Sequence, residues 1–190
     1  MALVTRFQWA AGAVAAGLLC APLARAQALD TDVPFVVTPD NVTREMLKLA
    51  DVKEGDFVID LGSGDGRIVI VAAKLFGARG LGVEIVPDLV EKSRNNARRA
   101  GVGDRAEFRV QDLFATDLSQ ATVITMYLLP EVNLQLRPKL LALKPGTRIV
   151  SHDWDMGGWK PDRVVTVDVP DKPIGREKRS RLYLWTVPAR

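Results

Sequence analysis

Hydrophobic positions change period several times along the chain, and each change marks an element. Leu29–Val37 is extended and proline-punctuated, with no helical repeat. Thr38-Pro39-Asp40 then reads as a helix start: Thr38 as N-cap, Pro39 at the first helical position and an acid in the first turn. Val42, Met46, Leu47 and Leu49 give that helix an apolar stripe. Beyond the turn Lys53-Glu54-Gly55-Asp56, strands and helices alternate. Phe57–Leu61 is a strand, and Arg67–Phe76 a helix ended by Gly77. Gly80–Glu84 is a strand, and Pro87–Ala100 a helix closed by Gly101. Ala106–Val110 and Thr122–Met126 are strands separated by a polar loop. Pro130–Leu143 is a helix stopped by Lys144-Pro145-Gly146, and Arg148–Ser151 is a strand.

This alternation predicts an α/β fold with a mostly parallel, doubly wound sheet. The last stretch breaks the pattern. Val164–Val169 and Leu182–Val187 are period-two runs joined by the basic, Pro/Gly-containing loop Pro170–Ser180. They predict a C-terminal antiparallel hairpin at one edge, which brings the sheet to seven strands.

Composition changes the picture mainly at the N-terminus. The 190 residues are 47% hydrophobic and 26% charged, which suits one globular domain and excludes a long disordered chain. Met1–Ala26 differs from the rest. It has a short n-region, the small apolar run Trp9–Ala21 and an A-x-A site at Ala24-Arg25-Ala26. That is the pattern of a secretory leader, too short in its apolar run for a full membrane span. Uncleaved, it would anchor the domain on a membrane surface. Residues 27–55 then form the extended segment and cap helix, and residues 56–190 the main domain.

Removal of the leader takes Arg6 and Arg25, two of the 26 basic residues, and no acid. Against 23 acidic residues the formal charge then falls from +3 to +1. The basic balance of the whole chain is therefore no sign of nucleic-acid binding. The only cysteine, Cys20, leaves too, which excludes an intrachain disulfide, a Cys–metal site and a Cys nucleophile from the mature domain.

The chemistry begins at Val58-Ile59-Asp60-Leu61-Gly62-Ser63-Gly64-Asp65-Gly66-Arg67. A strand ends in an acid, turns through three alternate glycines and enters a helix. Such a loop lets backbone approach a ligand closely and leaves helix-end N–H groups free. A dinucleotide fingerprint would place its third glycine where Arg67 stands. The spacing is instead G-x-G-x-G after Asp60. A pyrophosphate wants N–H groups and no anion beside it, whereas an acid here suits a cationic ligand. Glu84 ends the next strand roughly 20 residues on, where a carboxylate accepts ribose hydroxyls. Asp112 ends the third, placed to accept an adenine amine while neighbouring Leu113 packs on the ring.

The set Asp60, Gly62, Ser63, Gly64, Gly66, Glu84 and Asp112 resembles the successive cofactor motifs of class I, Rossmann-like methyltransferases, which use S-adenosyl-L-methionine (SAM). That likeness runs from about Pro34 to the C-terminus. Val33-Pro34-Phe35-Val36-Val37-Thr38-Pro39, followed by Asp60-Leu61-Gly62-Ser63-Gly64-Asp65-Gly66-Arg67-Ile68-Val69, is also similar to the mitochondrial protein-lysine methyltransferases that modify the c-type ring protein of ATP synthase and the adenine nucleotide translocase, and to leader-bearing bacterial relatives. In that family the segment packs near SAM, so the resemblance adds Phe35 and Thr38 to the cofactor residues. It implies a protein lysine as acceptor, on a partner that can be membrane-associated.

Thr125-Met126-Tyr127-Leu128-Leu129-Pro130 follows the fourth strand. It lacks the Asn/Asp-Pro-Pro-aromatic motif that holds exocyclic base amines, which disfavours nucleic acid as acceptor. Tyr127 is a candidate to orient an incoming amine, or else an aromatic rim beside the cofactor. The fifth strand leads into Ser151-His152-Asp153-Trp154-Asp155, with the only histidine of the chain. His152 or Asp153 is placed to accept a proton from a lysine, whose free pKa is about 10.4. His152 as a hydrogen-bonded support of its loop is the equal alternative. No metal site is expected, because one histidine and two aspartates make a weak ligand set. A small-molecule N- or O-methyltransferase and a non-catalytic SAM-binding envelope protein remain the alternative functions. The short N-terminal cap and tight late connections favour an open site and a large acceptor.

Overall fold

The computed structural model describes residues 36–172 and 177–189. The leader expected over Met1–Ala26, most of the extended segment, and Phe35 lie outside the described residues. In chain order the elements are α1 (Asp40–Leu49), β1 (Phe57–Leu61), α2 (Arg67–Phe76), β2 (Arg79–Glu84), α3 (Pro87–Arg99), β3 (Ala106–Val110), β4 (Val123–Met126), α4 (Pro130–Leu141), β5 (Arg148–His152), β6 (Arg163–Asp168) and β7 (Arg179–Thr186).

The strands form one seven-stranded sheet in the order β3-β2-β1-β4-β5-β7-β6. The first five are parallel, and β7 runs antiparallel to both β5 and β6. This is the mostly parallel, doubly wound α/β sheet with a C-terminal hairpin that the pattern predicts. Strand order runs outward from β1 through β2 to β3 on one side and from β4 to β5 on the other. The crevice between β1 and β4 is therefore the topological switch point, where open α/β sheets bind ligands.

Alternation along each strand sends successive side chains to opposite faces. Val58, Val123, Val150 and Leu184 join one buried cluster with α1 and α2. Their neighbours Ile59, Ile124, Ile149 and Trp185 join the other, with Leu136 and Leu140 of α4. Both faces of the central strands are thus dry. That fixes register, because a one-residue slip would exchange two different packing surfaces.

Most elements differ from the sequence reading by one to three residues at one end or both, and three of the shifts are informative. Helix α1 begins one residue late: Pro39, not Thr38, is the N-cap, and no side chain caps it. The Thr38 carbonyl is taken by Arg67 Nη1 at 2.8 Å and its hydroxyl faces His152, so neither serves the helix end. Helix α4 stops at Leu141 rather than Leu143, because Ala142 and Leu143 bond carbonyls three residues back, at Lys139 and Leu140. Such i→i−3 bonds tighten the last turn out of α-helical geometry. Strand β7 starts at Arg179, so part of the basic loop belongs to the hairpin.

Candidate active site

The glycine-rich turn leaves β1 at the switch point. Gly62, Gly64 and Gly66 all have positive φ, at 74°, 53° and 81°. Two of these positions exclude a side chain on space as well. A Cβ at Gly62 would sit 2.9 Å from Leu128 Cδ2, and one at Gly66 would sit 2.7 Å from the Phe108 ring. The turn is packed between Leu128, after β4, and Phe108 of β3.

The three sequence-predicted carboxylates lie at or just beyond the carboxyl ends of adjacent strands. Asp60 is buried in β1, where Thr125 Oγ1 of β4 donates to its Oδ1 at 2.7 Å. Burial pushes its pKa up to about 7; the Thr125 hydrogen bond works against this, while Glu84 and Asp65 add to it. Glu84 Oε2 accepts the Gly64 N–H at 3.0 Å, and its Oε1 accepts those of Ile85 and Val86 at 2.8 and 3.1 Å. One carboxylate therefore braces the glycine turn. Asp112, at the β3 end, is exposed, and its Oδ1 accepts the Phe114 N–H at 2.7 Å. Leu113 beside it is partly buried against the core.

These residues fit SAM. A carboxyl held near pKa 7 by burial with acids around it is an unneutralised site for a cation, and SAM carries an α-ammonium and a sulfonium. Ser63 Oγ is buried without a hydrogen-bond partner among the described residues, so a polar atom of the turn is available. The spaces beside Gly62 and Gly66 are bounded by the Leu128, Phe108 and Ser93 side chains.

Arg67 and Asp65 are functional neighbours that sequence reasoning missed. Arg67 Nη2 donates to Asp65 Oδ2 at 2.7 Å and its Nη1 to the Thr38 carbonyl and to Asp40 Oδ1, at 2.8 and 3.3 Å. Burial would raise the Asp65 pKa, but the Arg67 hydrogen bonds and charge outweigh it and hold the carboxyl low. A cation at the first position of a helix opposes the helix dipole, and that misplacement is the signal that it serves something else. Here it fastens the segment before α1 to the glycine turn. Thr125 was legible in principle as the polar member of a fully buried strand.

On the other side of the switch point, Tyr127 follows β4 and His152 ends β5. Their ring centroids are 3.9 Å apart, tilted by 32°. Burial raises the Tyr127 pKa, and Asp153 adds to this. His152 is 1% exposed, with Nε2 at 2.8 Å from Ser180 Oγ and Nδ1 at 3.5 Å from Thr38 Oγ1. Asp153 takes a left-handed backbone conformation and is occupied by Lys172 Nζ at 2.7 Å and the Arg181 N–H at 2.9 Å. Ser180 and Lys172 come from the hairpin, and nothing near them in sequence announces the role. The candidates thus separate into a group around Asp60 and a group around Tyr127 and His152, joined through Thr38. Among the described residues no cluster of three or more His, Cys, Asp or Glu is arranged to hold a metal.

Fold and site together define a SAM-dependent methyltransferase of the class I type. Comparisons with known proteins agree. A family model described as the ANTKMT methyltransferase domain matches residues 60–163. A protein-lysine N-methyltransferase of Saccharolobus islandicus is 47% identical over 138 residues, 72% of this chain and 86% of that protein. The adenine nucleotide translocase lysine N-methyltransferase of Mus musculus is 35% identical over 149 residues, 78% of this chain and 65% of that protein. Among solved structures, an RNA methyltransferase of Salinibacter ruber in complex with S-adenosyl-L-homocysteine is 56% identical, with a TM-score of 0.73. The match covers 82% of this chain and 95% of that one. The chain belongs to the ANTKMT methyltransferase domain family.

Proposed function

We propose that the enzyme methylates the side-chain amine of a protein lysine. The observation that carries this reading is the 47% identity to a protein-lysine N-methyltransferase of which the chain spans 86%. The residues after β4 support it, since Tyr127-Leu128-Leu129-Pro130 offers no acid or amide to grip the planar amine of a base.

When bound, SAM supplies an electron-poor methyl carbon, to which the amine nitrogen bonds as the sulfur–carbon bond breaks. The protein's work is to hold and to orient. Asp60 takes the α-ammonium, Glu84 the ribose hydroxyls, and Asp112 with Leu113 the adenine. Gly62, Ser63, Gly64 and Gly66 would supply backbone and a hydroxyl, and Thr38 would close the N-terminal side; Phe35 is a cofactor residue by the family resemblance alone. Tyr127 orients the amine through its hydroxyl, with Asp153 nearby. Lysine must shed its proton before attack, because only the neutral amine is nucleophilic. Rate then comes from near-attack geometry in a site that excludes water.

The test is incubation of the purified enzyme with methyl-tritiated SAM and protein from the source cells, followed by acid hydrolysis. Label recovered as methyllysine supports the reading. Label confined to small molecules would overturn it in favour of a small-molecule N- or O-methyltransferase. No transfer by a SAM-binding protein would favour a non-catalytic module.

A second reading has one observation behind it. The Salinibacter ruber relative is described as an RNA methyltransferase. A ribonuclease-sensitive label would favour it.

We further propose that Met1–Ala26 is an export leader that places the domain in the periplasm, or on a membrane surface if uncleaved. A membrane-associated acceptor would then be within reach. Fractionation of cells carrying the tagged protein tests this; a full-length cytoplasmic product would overturn it.

A further inference from the structure

Five separate stretches of chain meet beyond the ends of β4 and β5, contributing Thr38, Tyr127, His152 with Asp153, Lys172 and Ser180. At their centre the His152 ring has no open edge. Ser180, fully buried, sits at one nitrogen and Thr38 at the other, and a face of the ring lies on Tyr127. The charged groups that face it are Asp153, whose Oδ2 is 3.5 Å from Nε2, and Lys172, which holds that same oxygen at 2.7 Å. Lys172 also donates to the Arg179 carbonyl, so it ties the carboxylate back to the hairpin. A histidine enclosed in this way has no lone pair to offer an incoming amine. Burial lowers its pKa to about 4; Asp153 works against this and Lys172 with it, so the ring is neutral at the pH of the cell.

We infer that His152 is a positioning residue: clamped by Ser180 and Thr38, its ring is the wall that fixes the Tyr127 phenol at the acceptor side of the crevice. This deepens the lysine-methyltransferase reading and rests on it only for the nature of the acceptor. The arrangement also links both halves of the site, because Thr38 touches His152 with its hydroxyl and Arg67 with its carbonyl. Loss of the ring frees Tyr127 without touching the carboxylates of the cofactor half.

The chain has one histidine and two tyrosines, which suits isotope-labelled NMR on the intact protein. The imidazole should show one neutral tautomer with no titration between about pH 5.5 and 8. Both H152Q and S180A should move the Tyr127 ring resonances and leave those of Tyr183 in place. With the acceptor found by labelling, H152Q should lower kcat about tenfold while the Kd for SAM stays within about twofold. In a Y127A background H152Q should cost less than about twofold more, because the residue works through Tyr127. Equal losses in both backgrounds would overturn the inference in favour of a general structural role. An imidazole titrating near its ordinary value, with a matching limb of the kcat–pH profile lost in H152Q, would make His152 the proton acceptor instead. If H152Q does not fold, S180A carries the same comparisons. The NMR readout needs no acceptor, so failure to find a methylated protein leaves it decisive.

Discussion

The two halves of the crevice are built in opposite ways. On the β1–β3 side the site is made by one continuous turn: three positive-φ glycines, the spaces beside Gly62 and Gly66 closed by Leu128 and Phe108, and a carboxylate that braces the backbone. On the β4–β5 side it is made by side chains from five stretches of chain, meeting through single hydrogen bonds and a ring contact. In the first construction an added side chain at Gly62 or Gly66 meets both a left-handed backbone and a close neighbour. The second depends on contacts between side chains distant in sequence, with Asp153 and Lys172 tied in addition to the main chain of Arg181 and Arg179. The function proposed above puts the cofactor on the first half and the acceptor on the second.

The largest effect should come from G66A. The added Cβ meets the Phe108 ring at 2.7 Å and Ser93 Cβ at 2.8 Å, in a left-handed conformation. Strain and overpacking together should cost about 2–5 kcal/mol, read as a lower midpoint in urea unfolding. An unchanged midpoint would show that the turn is softer than its packing implies.

Next comes D60N, which keeps the Thr125 hydrogen bond and removes the charge. A lost charge-assisted bond of about 1.5–3 kcal/mol should raise the Kd for SAM roughly 10- to 100-fold. Stability should move the other way. The Asp60 pKa lies near 7 in the folded domain, above its usual 3.8, so the ligand-free fold binds more protons than the unfolded chain between those values. It therefore loses stability as pH rises through that window. D60N removes the loss, so at pH 8 the ligand-free variant should melt higher than the wild type. A lower melting temperature would contradict the assignment of Asp60 as a strained binding carboxylate.

The pH dependence of binding is a smaller and sharper effect. Pairing with an ammonium requires the Asp60 carboxylate, so affinity should rise about tenfold per unit from pH 5 towards 7. It should fall again above roughly pH 8, where an α-amino group loses its charge. E84Q should have the mildest effect on binding, about 3- to 10-fold in Kd, since one amide oxygen still accepts backbone N–H while the NH2 forfeits the bonds on the other side, to Gly64 or to Ile85 and Val86.

The same contrast explains what the sequence disclosed. Strands β1 and β3 and helix α2 have the bounds that periodicity predicts, and Asp60, Glu84 and the glycines were legible because strand, turn and helix are contiguous. The role of Arg67 was hidden because, beyond neighbouring Asp65, its partners Thr38 and Asp40 lie 29 and 27 residues upstream. Ser180 was hidden altogether. It ends the stretch that reads as a basic, Pro/Gly-containing loop, yet it is fully buried against a histidine 28 residues away. His152 itself stood out in sequence for its chemistry, whereas its enclosure is a property of the hairpin folding back on β5.

The most direct test is calorimetric titration of SAM at pH 7 in two buffers of different ionisation enthalpy, with wild-type protein and D60N. A carboxyl with pKa near 7 that becomes fully ionised on pairing should release about half a proton per site in the wild type and none in D60N, with weaker binding in the variant. Equal affinity and equal proton release in the two proteins would contradict the account, because Asp60 would then not be what holds the cation.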